Sequence, residues 1–166
     1  MKSRMPSLSL AVITLLAVMQ PFADAVEKTY AERLGWPEGA RIVMFHSDDM
    51  GMCLEGNQGT AKALEVGLVT SVSTMMPCPW VPGWLKYLKA NPKVDNGLHL
   101  TLTSEWDDYR WGPVAGKPAV PSLVDEQGAL WDNVGLVLKP ATADDVETEI
   151  RAQIDKALDI GMPVTH

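Results

Sequence analysis

The residues best suited to chemistry are Asp48 and Asp49, adjacent carboxylates that follow the run Ile42-Val43-Met44-Phe45 and precede Gly51. The apolar run predicts a buried parallel strand, and Gly51 turns the chain out of it. In α/β folds, ligands and catalytic groups collect at the C-terminal ends of strands. Neighbouring carboxylates repel, so one is paired with a cation or metal, or carries a raised pKa. A divalent metal on one would leave the other free as a base. The competing reading is structural, because aspartate is common in turns and at helix N-caps. Under strict alternation His46 shares a face with Asp48, and it either supports the carboxylate from behind or simply packs.

A second constellation is Asn96-Gly-Leu-His-Leu-Thr-Leu-Thr103. From Leu98 it alternates, with Leu98, Leu100 and Leu102 on one face and His99, Thr101 and Thr103 on the other, the period of a strand. An imidazole on a polar face is a good metal ligand; the alternative is a satisfied interior histidine. The chain ends on Met162-Pro-Val-Thr-His166, which reads as another strand beginning after a helix.

Taken together, these residues resemble the YdjC-like carbohydrate deacetylases, which include the chitooligosaccharide deacetylases. The family pattern is a strand ending Asp-Asp-x-Gly, then Gly-x-Val-Thr-Ser, Gly-x-His-x-x-Leu-Thr and Pro-Thr-His-x-Asp-x-His. Here the matching strings are Asp48-Asp49-Met50-Gly51, Gly67-Leu68-Val69-Thr70-Ser71, Gly97 to Thr103 and Pro163-Val164-Thr165-His166, in that order over residues 41–166. His46-Ser47 departs from the pattern, which often has Asn-Ala there. The resemblance implies a deformed (β/α) barrel and a metal-dependent hydrolase that removes acetyl groups from N-acetylated sugars or oligosaccharides. Asp49 and His99 would be metal ligands and Asp48 the general base. A third ligand is expected beyond residue 166. His166 would lie near the site with no assigned role. Mg2+ is the first choice of metal, with Zn2+ and Mn2+ also compatible. Two other readings remain: another metal-dependent ester or phosphoester hydrolase, and a non-catalytic saccharide-binding protein. Adjacent carboxylates are poorly placed to flank a glycosidic bond.

The elements that must position these groups alternate. Residues 57–66 predict a short helix closed by Gly67, 69–76 a second strand, 83–90 a second helix ended by Pro92, and 96–103 a third strand. Residues 104–140 break this rhythm with Trp106, Trp111, Trp131 and several prolines. Flat aromatic faces could form a saccharide-binding lid there; a hydrophobic plug is the alternative. A helix follows, capped by Thr142, with Val146, Ile150, Ile154, Ala157 and Leu158 as its apolar face. Alternating strands and helices indicate an α/β parallel sheet. A whole (β/α) barrel takes on the order of 250 residues, so the barrel is expected to be incomplete within these 166.

Composition narrows the partners. Lys2 and Arg4, the apolar stretch Leu8–Met19 and Ala23-Asp24-Ala25 read as a secretory signal peptide over residues 1–25, too short to span a membrane stably. Export to a periplasm or outside the cell follows. Residues 26–40 read as a lead-in linker. Without the leader, 12 basic residues face 20 acidic ones, a net charge of −8. That balance argues against nucleic acid and is no obstacle to a neutral sugar. Homo-oligomerisation stays open. Cys53 and Cys78 follow different predicted strands, so a disulfide between them also stays open.

Overall fold

The computed structural model describes residues 27–166; the leader-like segment 1–25 lies outside them. The chain divides into two units, residues 1–42 and 43–166. In the first, the lead-in segment holds one helical turn, α1 (Tyr30–Arg33). Thr29 and Glu32 cap it reciprocally, each side chain accepting from the other's backbone amide.

The second unit carries a parallel sheet in the order β1 (His46–Met50), β2 (Ser71–Thr74), β3 (Asp95–Leu98). Helix α2 (Leu54–Glu65) follows β1, and α3 (Val81–Ala90) follows β2. The Cys53 sulfur accepts from the Gly56 amide to start α2. Gly67, at φ +72°, takes the left-handed position that ends it. Pro82 occupies the first turn of α3, where a missing amide costs nothing.

The faces of the sheet differ in chemistry. Val72, Thr74 and Asn96 point toward the helices, where Met50, Met76, Val81, Trp84 and Leu88 form the core. Asn96 is fully buried there, and its carbonyl oxygen accepts from Thr74 Oγ1 at 2.8 Å and Trp84 Nε1 at 3.2 Å. The opposite face carries His46, Asp48, Ser71, Ser73, Asp95 and Gly97. Parallel pairing sets His46 beside Ser71 and Ser73 beside Gly97.

Two expected strands are displaced. Ile42–Phe45 were expected to be buried, yet Val43 is 74 % exposed and Phe45 60 %. The ladder starts only at His46; before it, the Thr70 amide to the Phe45 carbonyl is the pairing bond that continues toward β2. Among the described residues neither core cluster covers Ile42–Phe45, and β1 lies at the edge of the sheet. The third strand stops at Leu98, so His99 stands just past its end and the leucine alternation runs on into irregular chain. Residues 163–166 continue the sheet's pattern without forming a regular strand. The Thr165 amide donates to the Asn96 carbonyl and the Leu98 amide to the His166 carbonyl.

Residues 104–140 build their own core from Trp111, Val120, Leu123, Leu130 and Val137, packed with Met75 and Cys78. A 3-10 turn at Pro121–Leu123, a bridge between Val124 and Leu130, and the single turn α4 (Val134–Val137) frame it. Arg110 ties it inward, donating to the Leu130 carbonyl at 2.6 Å and to Asp125 Oδ2 at 3.0 Å.

Helix α5 (Ala143–Asp159) starts at the expected cap, Thr142 Oγ1 accepting from the Asp145 amide. Of the expected apolar face only Ala157 is fully buried. Glu149, Gln153 and Ala157 face inward, while Leu158 is 60 % exposed. The reason is hydrogen bonding. Glu149 accepts from the Val114 and Ala115 amides at 2.9 Å each and from Gln153 Nε2. Gln153 pairs with both backbone groups of Thr101. Buried backbone groups without partners are costly, so satisfying them outweighs burying isoleucine or leucine. Glu149→Leu should therefore destabilise the protein by about 2–4 kcal/mol, since it strands two part-buried amides. The urea midpoint should fall in Glu149→Leu and fall less in Glu149→Gln; an unchanged midpoint in both would refute this account.

Candidate functional site

The site begins with a break in the β1 ladder. Between Ser47 and Met50 the pairing with β2 shifts by a residue. Asp49 is the residue absorbed there, with φ +70°. Left-handed backbone costs a non-glycine residue about 1–2 kcal/mol, less for aspartate than for most. Gly51 follows at φ +89°; a Cβ there would meet Val81 Cγ2 at 2.6 Å. Asn57 on α2 locks the turn. Its Oδ1 accepts from the Gly51 amide at 2.8 Å, and its Nδ2 donates to the Trp80 carbonyl at 3.1 Å.

The shift aims the two carboxylates at different partners. Asp49 Oδ1 lies 2.9 Å from His99 Nδ1. His99 Nδ1 is buried, yet it makes no directed hydrogen bond despite that proximity. A carboxylate oxygen and an imidazole nitrogen so close, with neither aimed along a hydrogen bond, suit a shared cation. Carboxylate plus imidazole fits Mg2+, Mn2+ or Zn2+ by donor type. Among the described residues, no group of three or more His, Cys, Asp or Glu side chains converges on one point. Asp49 and His99 are thus two donors of a candidate centre.

These donors line a cleft of about 290 Å³, with Met52, Met75, Trp106 and Trp111 among its walls. Trp106 is 55 % exposed and offers an open ring. Trp111 is buried, its indole donating to the Thr103 carbonyl, so only part of it reaches the cleft. Trp131 lies elsewhere: it packs on the core of residues 104–140, and its indole donates to the Ser122 carbonyl at 3.0 Å. Tyr109 joins this region to the turn after β1 by donating its hydroxyl to the Met52 carbonyl.

Asp48 faces a second cluster. Its Oδ1 accepts from Ser73 Oγ at 2.8 Å and lies 3.0 Å from His46 Nε2. His46 Nδ1 lies 2.8 Å from Ser71 Oγ. The His166 ring stands edge-on to His46, with centroids 5.7 Å apart. His166 lies over Gly97, where a Cβ would meet its Cδ2 at 2.5 Å. The sheet therefore groups His46, Asp48 and His166 on one face and sets Asp49 with His99 at its rim. Ser71, Ser73 and Asn57 escaped sequence reasoning. The serines alternate along a strand, and Ser71 also closes the string Gly67-Leu68-Val69-Thr70-Ser71, but neither signal gave them a role; Asn57 reads as an ordinary helix residue.

Cys53 and Cys78 are free thiols. Burial, and then the negative charge of Asp49, push the Cys78 thiol from 9.0 up to about 12. A protonated thiol is a poor nucleophile. At pH 8 an aromatic disulfide reagent should titrate Cys53 in the native protein and Cys78 only on unfolding; two fast equivalents would contradict this arrangement. Because the folded-state pKa is raised, the stability linked to Cys78 is fully present below pH 9 and is lost as pH rises toward about 12.

Comparison with known proteins adds independent information. The sequence profile of the family described as YdjC-like protein matches residues 42–166. A carbohydrate deacetylase of Thermus thermophilus is 38% identical over 135 residues, covering 81% of this chain and 45% of that protein. A chitooligosaccharide deacetylase of Yersinia enterocolitica is 30% identical over 131 residues, covering 76% and 47%. A crystal structure from Enterococcus faecalis, of a protein provisionally assigned to cellobiose-phosphate cleavage, superposes with a TM-score of 0.67 at 28% identity. It covers 74% of this chain and 46% of that one. The chain spans about half the length of the relatives it matches.

Proposed function

Because the chain belongs to the YdjC-like protein family, we propose that it is part of a hydrolase that removes acetyl groups from N-acetylated saccharides. The observation that carries this reading is the pairing of Asp49 with His99 at 2.9 Å, beside a second carboxylate held apart from it. Asp49 and His99 would hold a divalent cation, Mg2+ before Mn2+ or Zn2+. When bound, it supplies a Lewis acid that polarises the amide carbonyl and acidifies water.

The chain's own residues account for the rest. Asp48 Oδ1 is engaged by Ser73 and His46, which leaves Oδ2 to take a proton from the attacking water. As the water oxygen bonds to the carbonyl carbon and the C–N bond breaks, a proton passes to the leaving nitrogen, and the products are acetate and the sugar amine. Trp106 offers a flat face on which a sugar ring can stack. The leader-like residues 1–25 would route this reaction to the periplasm or the medium.

Acetate release from N-acetylglucosamine oligomers by the full-length gene product, with Mg2+, Mn2+ or Zn2+ added, tests the proposal. Release should depend on the cation and vanish in Asp49→Ala and His99→Ala. Asp48→Asn should lower turnover about 10²–10⁴-fold while cation binding, followed by calorimetry, is kept. Tight cation binding without acetate release would reject the deacetylase assignment.

A further inference from the structure

We propose that His46 is a positioning residue for Asp48, fixing through Nε2 the rotamer that engages Oδ1 and leaves Oδ2 unengaged. This rests on reading Asp48 as the base.

The Asp48 side chain is 58 % exposed, so nothing apolar confines it. Two groups restrain it, Ser73 Oγ at 2.8 Å and His46 Nε2 at 3.0 Å, both at Oδ1. His46 is itself held at both ends, Nδ1 lying 2.8 Å from Ser71 Oγ and Nε2 3.1 Å from Ser73 Oγ. A carboxylate can only accept, so Nε2 must carry a proton. Nδ1 faces the Ser71 hydroxyl, which can serve it as donor or acceptor. Ser73 donates to Asp48 and can share the Nε2 proton on its lone pair. Every group then has a partner of the right kind. The network spans two strands: β1 contributes His46 and Asp48, β2 contributes Ser71 and Ser73. Parallel pairing of His46 with Ser71 fixes its register. His166 meets the imidazole edge-on without a hydrogen bond between them, so it limits tilt without competing for either nitrogen.

Side-chain length separates this role from packing. Glutamine at position 46 can place its amide nitrogen where Nε2 lies. Asparagine reaches only as far as Nδ1. In the full-length gene product acting on N-acetylglucosamine oligomers, His46→Ala should lower kcat about tenfold with little change in KM. His46→Gln should restore most of that loss, and His46→Asn should not. Equal kcat in all three variants, or equal rescue by asparagine and glutamine, would overturn the proposal. A second readout is independent of turnover. Nitrogen-15 spectra of the imidazoles should show His46 carrying a proton on Nε2, and Asp48→Asn should move that resonance. A His46 signal indifferent to Asp48→Asn would overturn the contact itself. If the wild-type protein releases no acetate, the deacetylase reading fails, and the imidazole spectra still decide whether His46 holds Asp48.

Discussion

The site depends on one irregularity, the extra residue absorbed by β1 between Ser47 and Met50. In an unbroken strand, consecutive side chains point to opposite faces. Asp48 would face the polar side and Asp49 would be driven into the helix layer. The register break and the left-handed Asp49 release that carboxylate toward His99 instead. Local strain of this kind persists only where its surroundings over-determine it. Here the surroundings are Gly51, which admits Val81 against the backbone, and Asn57, which grips the turn from α2. Both contacts are tertiary, so the carboxylates gain their separate directions only as helix and strand dock.

The second organising fact is the contrast between the faces of the sheet. One is sealed by Met76, Trp84 and Leu88, with Asn96 as a fully bonded polar residue inside it. The other is hydroxyl, carboxylate and imidazole. Because the strands are short and parallel, a two-residue period carries that polarity from β1 to β2 to β3. The chemistry-bearing residues are therefore placed by ordinary strand geometry, and only Asp49 needs an exception.

Much of this was legible in the sequence. His99 stands just past the end of its strand and Asp49 next to the end of its own, as their spacing suggested, while Asp48 lies in the middle of β1; the parallel alternating order holds. The departures share a cause: hydrophobicity in this chain does not mark burial. Ile42–Phe45 looked like the buried strand, whereas the ladder is built from His46-Ser47-Asp48-Asp49-Met50, a string whose polarity suggests a loop. Leu100 continued the alternation of Leu98 past the point where pairing ends. In α5, Glu149 and Gln153 displaced isoleucine and leucine from the inner face because the loop they touch presents backbone amides that need acceptors. Periodicity reports side-chain polarity and is blind to what the neighbouring backbone requires. The serines that meet His46 were hidden for the same reason, since each matters through a partner on another strand.

The Glu149–Gln153 clasp has a mechanical consequence. Apolar surfaces can slide past one another with little change in energy, whereas hydrogen bonds are directional and fail over a fraction of an ångström. The chain at Thr101, beside the cleft, and the loop at 114–115 are both held to α5 by such bonds. Displacing this wall would mean breaking the Thr101, Val114 and Ala115 bonds to α5, so its position is tied to that helix by direction as well as by contact.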